Sequence, residues 1–269
     1  MKKILVLGAS GFIGTTICEK LSENNEVYGT YFTNKTRPEG TMMLKFDLAN
    51  SEQLQNILAT VEPDVVISSL RGDFSQQLEA HRNLAHYLEQ HGTRLIYLST
   101  ANVFDALTNK AHVESDPIQS QSDYGNFKIK CETVLRDIMG PLVTILRIPM
   151  VFGQGSKRIL EIKEGLKKGG PLIMYSDFYL NIHSDLLLAK QIEFLIEKNV
   201  DGILHLGSYD VVAYKTMMSL LIKTLGYEGI KFQFERIQDQ PYYLAVTTEK
   251  NVLPIDLIYS VEQVAQSMM

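Results

Sequence analysis

Ile4-Leu-Val-Leu-Gly8-Ala-Ser-Gly11-Phe-Ile-Gly14 is the stretch on which the fold turns. Four consecutive apolar residues are what a short strand buried on both faces needs. The residues after the turn, with Ile13, Ile17, Cys18 and Leu21 spaced by three or four, read as an amphipathic helix. A glycine triplet alone fits any strand-helix turn. Between a strand and a helix it has a mechanism: the first glycine permits the tight turn, the second lets backbone approach a pyrophosphate, and the third allows close helix-strand contact, while the helix N-H groups and dipole attract the anion. The stretch therefore predicts dinucleotide binding, with contacts from Gly8, Ser10, Gly11, Phe12, Ile13 and Gly14.

Working outward, short apolar runs at 4–7, 27–31, 42–46, 65–67, 95–98 and 142–148 alternate with helical periodicity such as that of 76–90, where Leu78, Leu84, Ala85 and Leu88 share a face. Strand-helix alternation of this kind predicts an α/β fold, a doubly wound parallel sheet of the Rossmann type with right-handed crossovers. After Pro149 the rhythm loosens around Gly153, Gly155, Gly169 and Gly170, and the chain is expected to leave the sheet. A helix at 184–197 and a strand at 202–206 then rejoin it. The expected organisation is a dinucleotide-binding domain of 1–150 plus about 184–207, and a small, discontinuous substrate lobe of about 151–183 and 208–269.

Composition narrows the function classes. With 269 residues, 45% of them apolar and 21% charged, the chain has the make-up of a globular protein. A net charge of −5 offers no basic field for a nucleic-acid backbone. Cys18 and Cys131 lack metal or redox spacing, so two reduced thiols are expected, with no metal site. The apolar run after Lys2-Lys3 stops at Gly8, too short for a signal peptide, and no membrane span is expected. A cytoplasmic protein, monomeric or homodimeric, is the resulting expectation. His183 and His205 read as packing residues rather than ligands.

Cofactor choice is read at the end of the second strand, where a carboxylate would bond a free ribose hydroxyl and repel a 2′-phosphate. Tyr31-Phe-Thr33-Asn-Lys35-Thr-Arg37 carries hydroxyls and cations, with no carboxylate between Glu26 and Glu39. The expectation is NADP, with NAD possible, and contacts from Tyr31, Thr33 and Lys35. Asp47, after the third strand, is placed either to bond an adenine amino group or to cap the helix that starts at Ser51.

Tyr124-Gly-Asn-Phe-Lys128 puts a phenol and an ammonium one helical turn apart. The lysine charge there is expected to lower the phenol's pKa toward working pH, making it a proton donor and acceptor. The same spacing occurs at Tyr31/Lys35 and Tyr227/Lys231, but only Tyr124 opens a convincing helix, at 124–138. Upstream, Leu95-Ile-Tyr-Leu-Ser99-Thr100 is a strand ending in hydroxyls at the edge that faces the ligand crevice.

These pieces, together with Asp47, Leu98-Ser-Thr-Ala-Asn-Val-Phe-Asp105 and Leu146-Arg-Ile-Pro-Met-Val-Phe-Gly153, resemble the extended short-chain dehydrogenase/reductase (NAD-dependent epimerase/dehydratase) family, most closely its dTDP-4-dehydrorhamnose reductase branch. The resemblance implies a catalytic trio of Thr100, Tyr124 and Lys128, with the backbone near Ile148 closing over the nicotinamide. Further cofactor contacts are expected from Leu48, Ser69, Leu70, Ser99 and from Tyr124 and Lys128 themselves. Arg71 stands where relatives carry a small residue and is expected to meet cofactor phosphates or an anionic substrate. The implied activity is NADPH-dependent reduction of a keto group on a nucleotide-activated deoxysugar. An NAD(P)-dependent nucleotide-sugar epimerase or dehydratase, or a non-catalytic NADP-binding regulatory subunit, are the alternatives.

Overall fold

The computed structural model describes residues 1–33, 37–169 and 171–268. Its elements, in chain order, are β1 (Lys3–Leu7), α1 (Phe12–Ser22), β2 (Glu26–Tyr31), β3 (Thr41–Lys45), α2 (Ser51–Val61), β4 (Val65–Ser68), α3 (Phe74–His91), β5 (Arg94–Thr100), α4 (Asp123–Met139) and β6 (Val143–Ile148). There follow β7 (Met150–Phe152), α5 (Lys157–Lys168), β8 (Leu172–Tyr175), β9 (Phe178–Leu180), β10 (Ile182–Ser184), α6 (Asp185–Glu197), β11 (Gly202–His205), β12 (Val212–Ala213), α7 (Tyr214–Thr224), β13 (Phe232–Glu235), β14 (Tyr242–Leu244) and α8 (Val261–Gln266).

Seven strands form one sheet in the order β11-β6-β5-β4-β1-β2-β3. The pairings of β1 with β2 and β4, of β2 with β3 and of β4 with β5 are all parallel. The chain runs outward from β1 through β2 to β3, then returns to β4 on the other side of β1 and proceeds to β5. That reversal is the topological switch point of an open α/β sheet, where a crevice forms beyond the carboxyl ends of the strands. The predicted doubly wound α/β fold is present. The central strands are apolar on both faces: Ile4, Leu5, Val6, Val66 and Ile67 are fully buried. Each such side chain contributes about 1.5–3 kcal/mol relative to exposure.

The helices begin where short polar side chains can satisfy their first N-H groups. Asn50 accepts from the Gln53 amide, Asp73 from the Gln76 amide and Ser122 from the Gly125 amide. Capping of α2 by Asn50 overturns the alternative role for Asp47, whose carboxylate accepts from Ala49 N-H instead. The helix α3 stops at Gly92, which takes up a left-handed conformation at φ 65°.

Two compact units can be drawn. The first comprises Met1–Thr100, Ser122–Leu146 and Ala189–Leu204, the second Ala101–Gln121, Arg147–Leu188 and His205–Met269. In the first, Leu5, Leu54, Leu58, Leu84, Leu88 and Leu135 belong to one apolar core. In the second, α5, α7 and α8 enclose Phe152, Leu180, Met217 and Leu221 with the short strands. His205 there donates its backbone N-H to Glu114, and its ring lies against the carbonyls of His112 and Thr247. His183 is fully buried and its Nδ1 accepts from the Ser184 amide.

The glycine turn is the tightest point of the first unit. A Cβ on Gly14 would stand 2.2 Å from the Gly8 carbonyl oxygen and 2.9 Å from Ala9 Cα, both backbone atoms. Gly14→Ala should therefore destabilise the protein by about 1–3 kcal/mol or more, because backbone cannot swing aside as a side-chain tip does. Chemical denaturation measures this, and an unchanged midpoint would contradict the packing described.

Candidate active site

The turn that follows β1 is held from both flanks. Gly8, at φ 83°, donates its N-H to Thr30 Oγ1 at 2.9 Å. Ser69 Oγ donates to the carbonyls of Leu7 at 3.0 Å and Gly8 at 3.3 Å. A Cβ on Gly8 would meet the Ser69 carbonyl oxygen at 2.7 Å. Strands β2 and β4 thus clamp the turn, and α1 starts from it with Gly11 as an N-cap that offers no side chain to its first N-H groups. Those donors are left for an external anion.

A cleft of about 560 Å³ opens over this turn. Of the residues expected at the cofactor, Gly8, Ser10, Gly11 and Tyr31 line it on the side of β1 and β2, and Asp47, Leu48, Ser69, Leu70 and Arg71 on the others. Gly14 acts through packing. Phe12 and Ile13 are half-buried in the first turn of α1, and Thr33 is exposed; none of the three lines the cleft. Lys35 lies outside the described residues, and Arg37 is exposed. Ile148 is buried at the end of β6, in the second unit. Ser99 is buried and gives its hydroxyl to the Glu132 carboxylate.

The cleft's volume, bare glycine backbone and unsatisfied helix N-H groups suit the adenosine and pyrophosphate parts of a dinucleotide. Thr30, Phe32, Phe46, Gly72 and Gln76 also line it, and the sequence reading passed over them. Thr30 could have been found: a hydroxyl in a buried strand beside the glycine turn has to bond something.

Thr100 ends β5 and bonds the Tyr124 hydroxyl from the second residue of α4. Tyr124 is 41% exposed, yet burial at its hydroxyl end raises the phenol pKa above its ordinary value, while the Thr100 bond and the Arg71 charge pull it down. This departs from the expectation that Lys128 would lower it. Lys128 Nζ is directed elsewhere, donating to the Leu98 carbonyl at 2.8 Å and standing 5.9 Å from the Tyr124 ring centroid. Burial brings the Lys128 pKa down to about 8.

Arg71 is exposed, lines the cleft and makes no ion pair among the described residues. Its charge acts on both Tyr124 and Lys128, lowering the pKa of each. The other two Tyr/Lys pairs have no such setting: one includes Lys35, and Tyr227 and Lys231 sit between α7 and β13. No group of three or more histidine, cysteine or acidic residues among the described residues could hold a metal ion. No helix of the described residues is long and apolar enough to cross a membrane.

Residues 4–179, more than half of the chain, match the NAD dependent epimerase/dehydratase family. Methionine adenosyltransferase 2 subunit beta of Bos taurus is 28% identical over 167 residues, which are 57% of this chain and 48% of that protein. The dTDP-4-dehydrorhamnose reductase of Aggregatibacter actinomycetemcomitans is 22% identical over 187 residues, 64% of this chain and 60% of the relative. The chain spans about half the length of the first of these curated relatives. Among solved structures, dTDP-4-dehydrorhamnose reductase of Bacillus anthracis in complex with NADP superposes with a TM-score of 0.78 at 16% identity, over 100% of this chain and 98% of that one. That likeness concerns the fold. On the match over residues 4–179, the chain belongs to the NAD dependent epimerase/dehydratase family.

Proposed function

We propose that the protein is an NADPH-dependent reductase of a keto group on a nucleotide-activated deoxysugar, with Tyr124 as its proton donor. The observation that carries this is the Tyr124-Thr100 hydrogen bond at the carboxyl end of β5, on the same unit as the cleft over the glycine turn. The relatives that include a dTDP-4-dehydrorhamnose reductase support the substrate class. Residues 1–150 with about 184–207 are assigned to the cofactor, apart from Ala101–Gln121, which group with the second unit, and about 151–183 with 208–269 to the substrate.

Gly8, Ser10, Gly11 and the first N-H groups of α1 would hold the pyrophosphate, and Asp47 and Tyr31 would face the adenosine. The nicotinamide, when bound, supplies the hydride. Thr100 would hold the substrate carbonyl oxygen, and Tyr124 Oη would give its proton to the oxygen as charge develops there. A phenol pKa above its ordinary value suits this direction of reaction, because the group enters protonated. Lys128 would bond the ribose. Arg71 would meet the cofactor's phosphates, and the stretch before Arg37, free of carboxylates, would accept a 2′-phosphate.

A second reading, a cofactor-binding subunit without turnover, is favoured by the 28% identity to methionine adenosyltransferase 2 subunit beta. Incubation with NADPH and a nucleotide-linked 4-keto-deoxysugar separates the readings. One NADPH should be oxidised per product formed, and Tyr124→Phe should lower turnover by roughly 10² while leaving cofactor affinity within a few-fold. Product without net NADPH oxidation would show an epimerase or dehydratase. Binding without product would leave the regulatory reading.

Titration of both reduced cofactors tests the phosphate assignments. NADPH should bind about ten-fold more tightly than NADH, a difference of about 1.4 kcal/mol. Arg71→Ala should weaken both to a similar extent with thermal stability unchanged, since the guanidinium is exposed. Lost stability with unaltered binding would make Arg71 a structural residue.

A further inference from the structure

Lys128 poses an electrostatic problem that the proposed reaction does not solve. Its ammonium is 7% exposed and forms no ion pair among the described residues, and its one hydrogen bond goes to the neutral Leu98 carbonyl. A buried ammonium without a partner gives up its proton. What surrounds the charge is aromatic: the Tyr97 ring centroid lies 4.6 Å from Nζ, Phe127 at 5.7 Å and Tyr124 at 5.9 Å. Distances under about 6 Å allow a cation to be held by a ring's electron-rich face.

Tyr97 has the closest ring, and its own chemistry says which part of it matters. The residue is 1% exposed on β5, and its buried hydroxyl faces the Cys131 thiol and makes no bond to nitrogen or oxygen. A thiol is only a weak partner for a buried phenol, and the contact with the ammonium is made by the ring. The ring is also held in place. His81 meets it edge-on at 5.0 Å with planes 83° apart. His81 Nδ1 faces the Gln77 carbonyl at 2.6 Å, which can only accept, so Nδ1 carries the proton. Burial and the Lys128 charge push the His81 pKa down to about 4, leaving Nε2 bare to accept from Ser68 Oγ at 2.8 Å. The histidine thus stays neutral and adds no repulsion.

We propose that Tyr97 is a positioning residue for Lys128, its ring face holding the ammonium charged and aligned against the Leu98 carbonyl for contact with the cofactor ribose. This rests on the role given to Lys128 above. The other groups facing the ammonium are Cys131 and Glu132 from α4, His81 from α3 and Arg71 from the loop after β4. Glu132 favours the charged form, but its carboxylate is engaged by Ser99. Arg71 opposes it.

The test is NADPH affinity, followed by its fluorescence between about pH 6 and 10. Affinity should fall as pH rises past about 8, because the contact needs the proton that Lys128 then loses. Tyr97→Phe should leave this fall where it is, since the ring remains. Tyr97→Leu should move it about one pH unit lower and weaken binding at pH 8 by roughly five-fold. If Tyr97→Leu does not fold, phenylalanines of increasing ring fluorination at position 97 keep the shape while draining the face, and each added fluorine should move the fall further toward acid. A fall abolished by Lys128→Met yet indifferent to fluorination overturns the Tyr97 role alone. A fall that survives Lys128→Met overturns the assignment of Lys128, and the Tyr97 role with it.

Discussion

The clamp on Gly8 is the constraint from which the cleft over the glycine turn follows. A left-handed residue at the end of β1 reverses the chain, and its N-H and C=O groups are tied to opposite neighbours, Thr30 on one side and Ser69 on the other. With the turn fixed, α1 descends so close to it that a single methyl on Gly14 has no room. The first N-H groups of α1 then point over the switch point between β1 and β4. Close packing and anion affinity are here one arrangement, since helix and strand approach this closely only where both sides are bare backbone.

Tyr124 and Lys128 are organised by burial more than by pairing. Tyr124 and Lys128 occupy one turn of one helix, as their spacing requires, but the ammonium turns toward the Leu98 carbonyl and the Tyr97 ring instead of the phenol. Desolvation therefore moves both groups toward their neutral forms, raising the phenol and lowering the amine. A cation that bears on both is Arg71, which lines the cleft over the glycine turn.

Periodicity made the sheet legible in the sequence, because strands buried on both faces leave uninterrupted apolar runs and helices a repeat of three or four. The turn was legible because glycine at Gly8 and Gly14 has a steric reason with a fixed spacing. Hydroxyl direction was not. Ser69 lines the cleft as expected, but its hydroxyl bonds the backbone of the turn, and the Ser99 hydroxyl bonds a carboxylate on α4, choices set by neighbours distant in the chain. Asp47 and Asn50 illustrate the same limit at short range: both are good caps, and only the backbone geometry selects Asn50 for α2. The grouping of Ala101–Gln121 with the second unit likewise has no local signal, since it depends on pairs such as Glu114 with His205.

The clamp is tested most directly at Thr30, by amide hydrogen exchange at Gly8 together with NADPH affinity in Thr30→Val, which keeps the side chain's shape and removes its hydroxyl. The Gly8 amide should lose protection, and NADPH should bind roughly ten-fold more weakly. Protection and affinity both equal to those of the unaltered protein would contradict the claim that this tie shapes the cleft over the glycine turn.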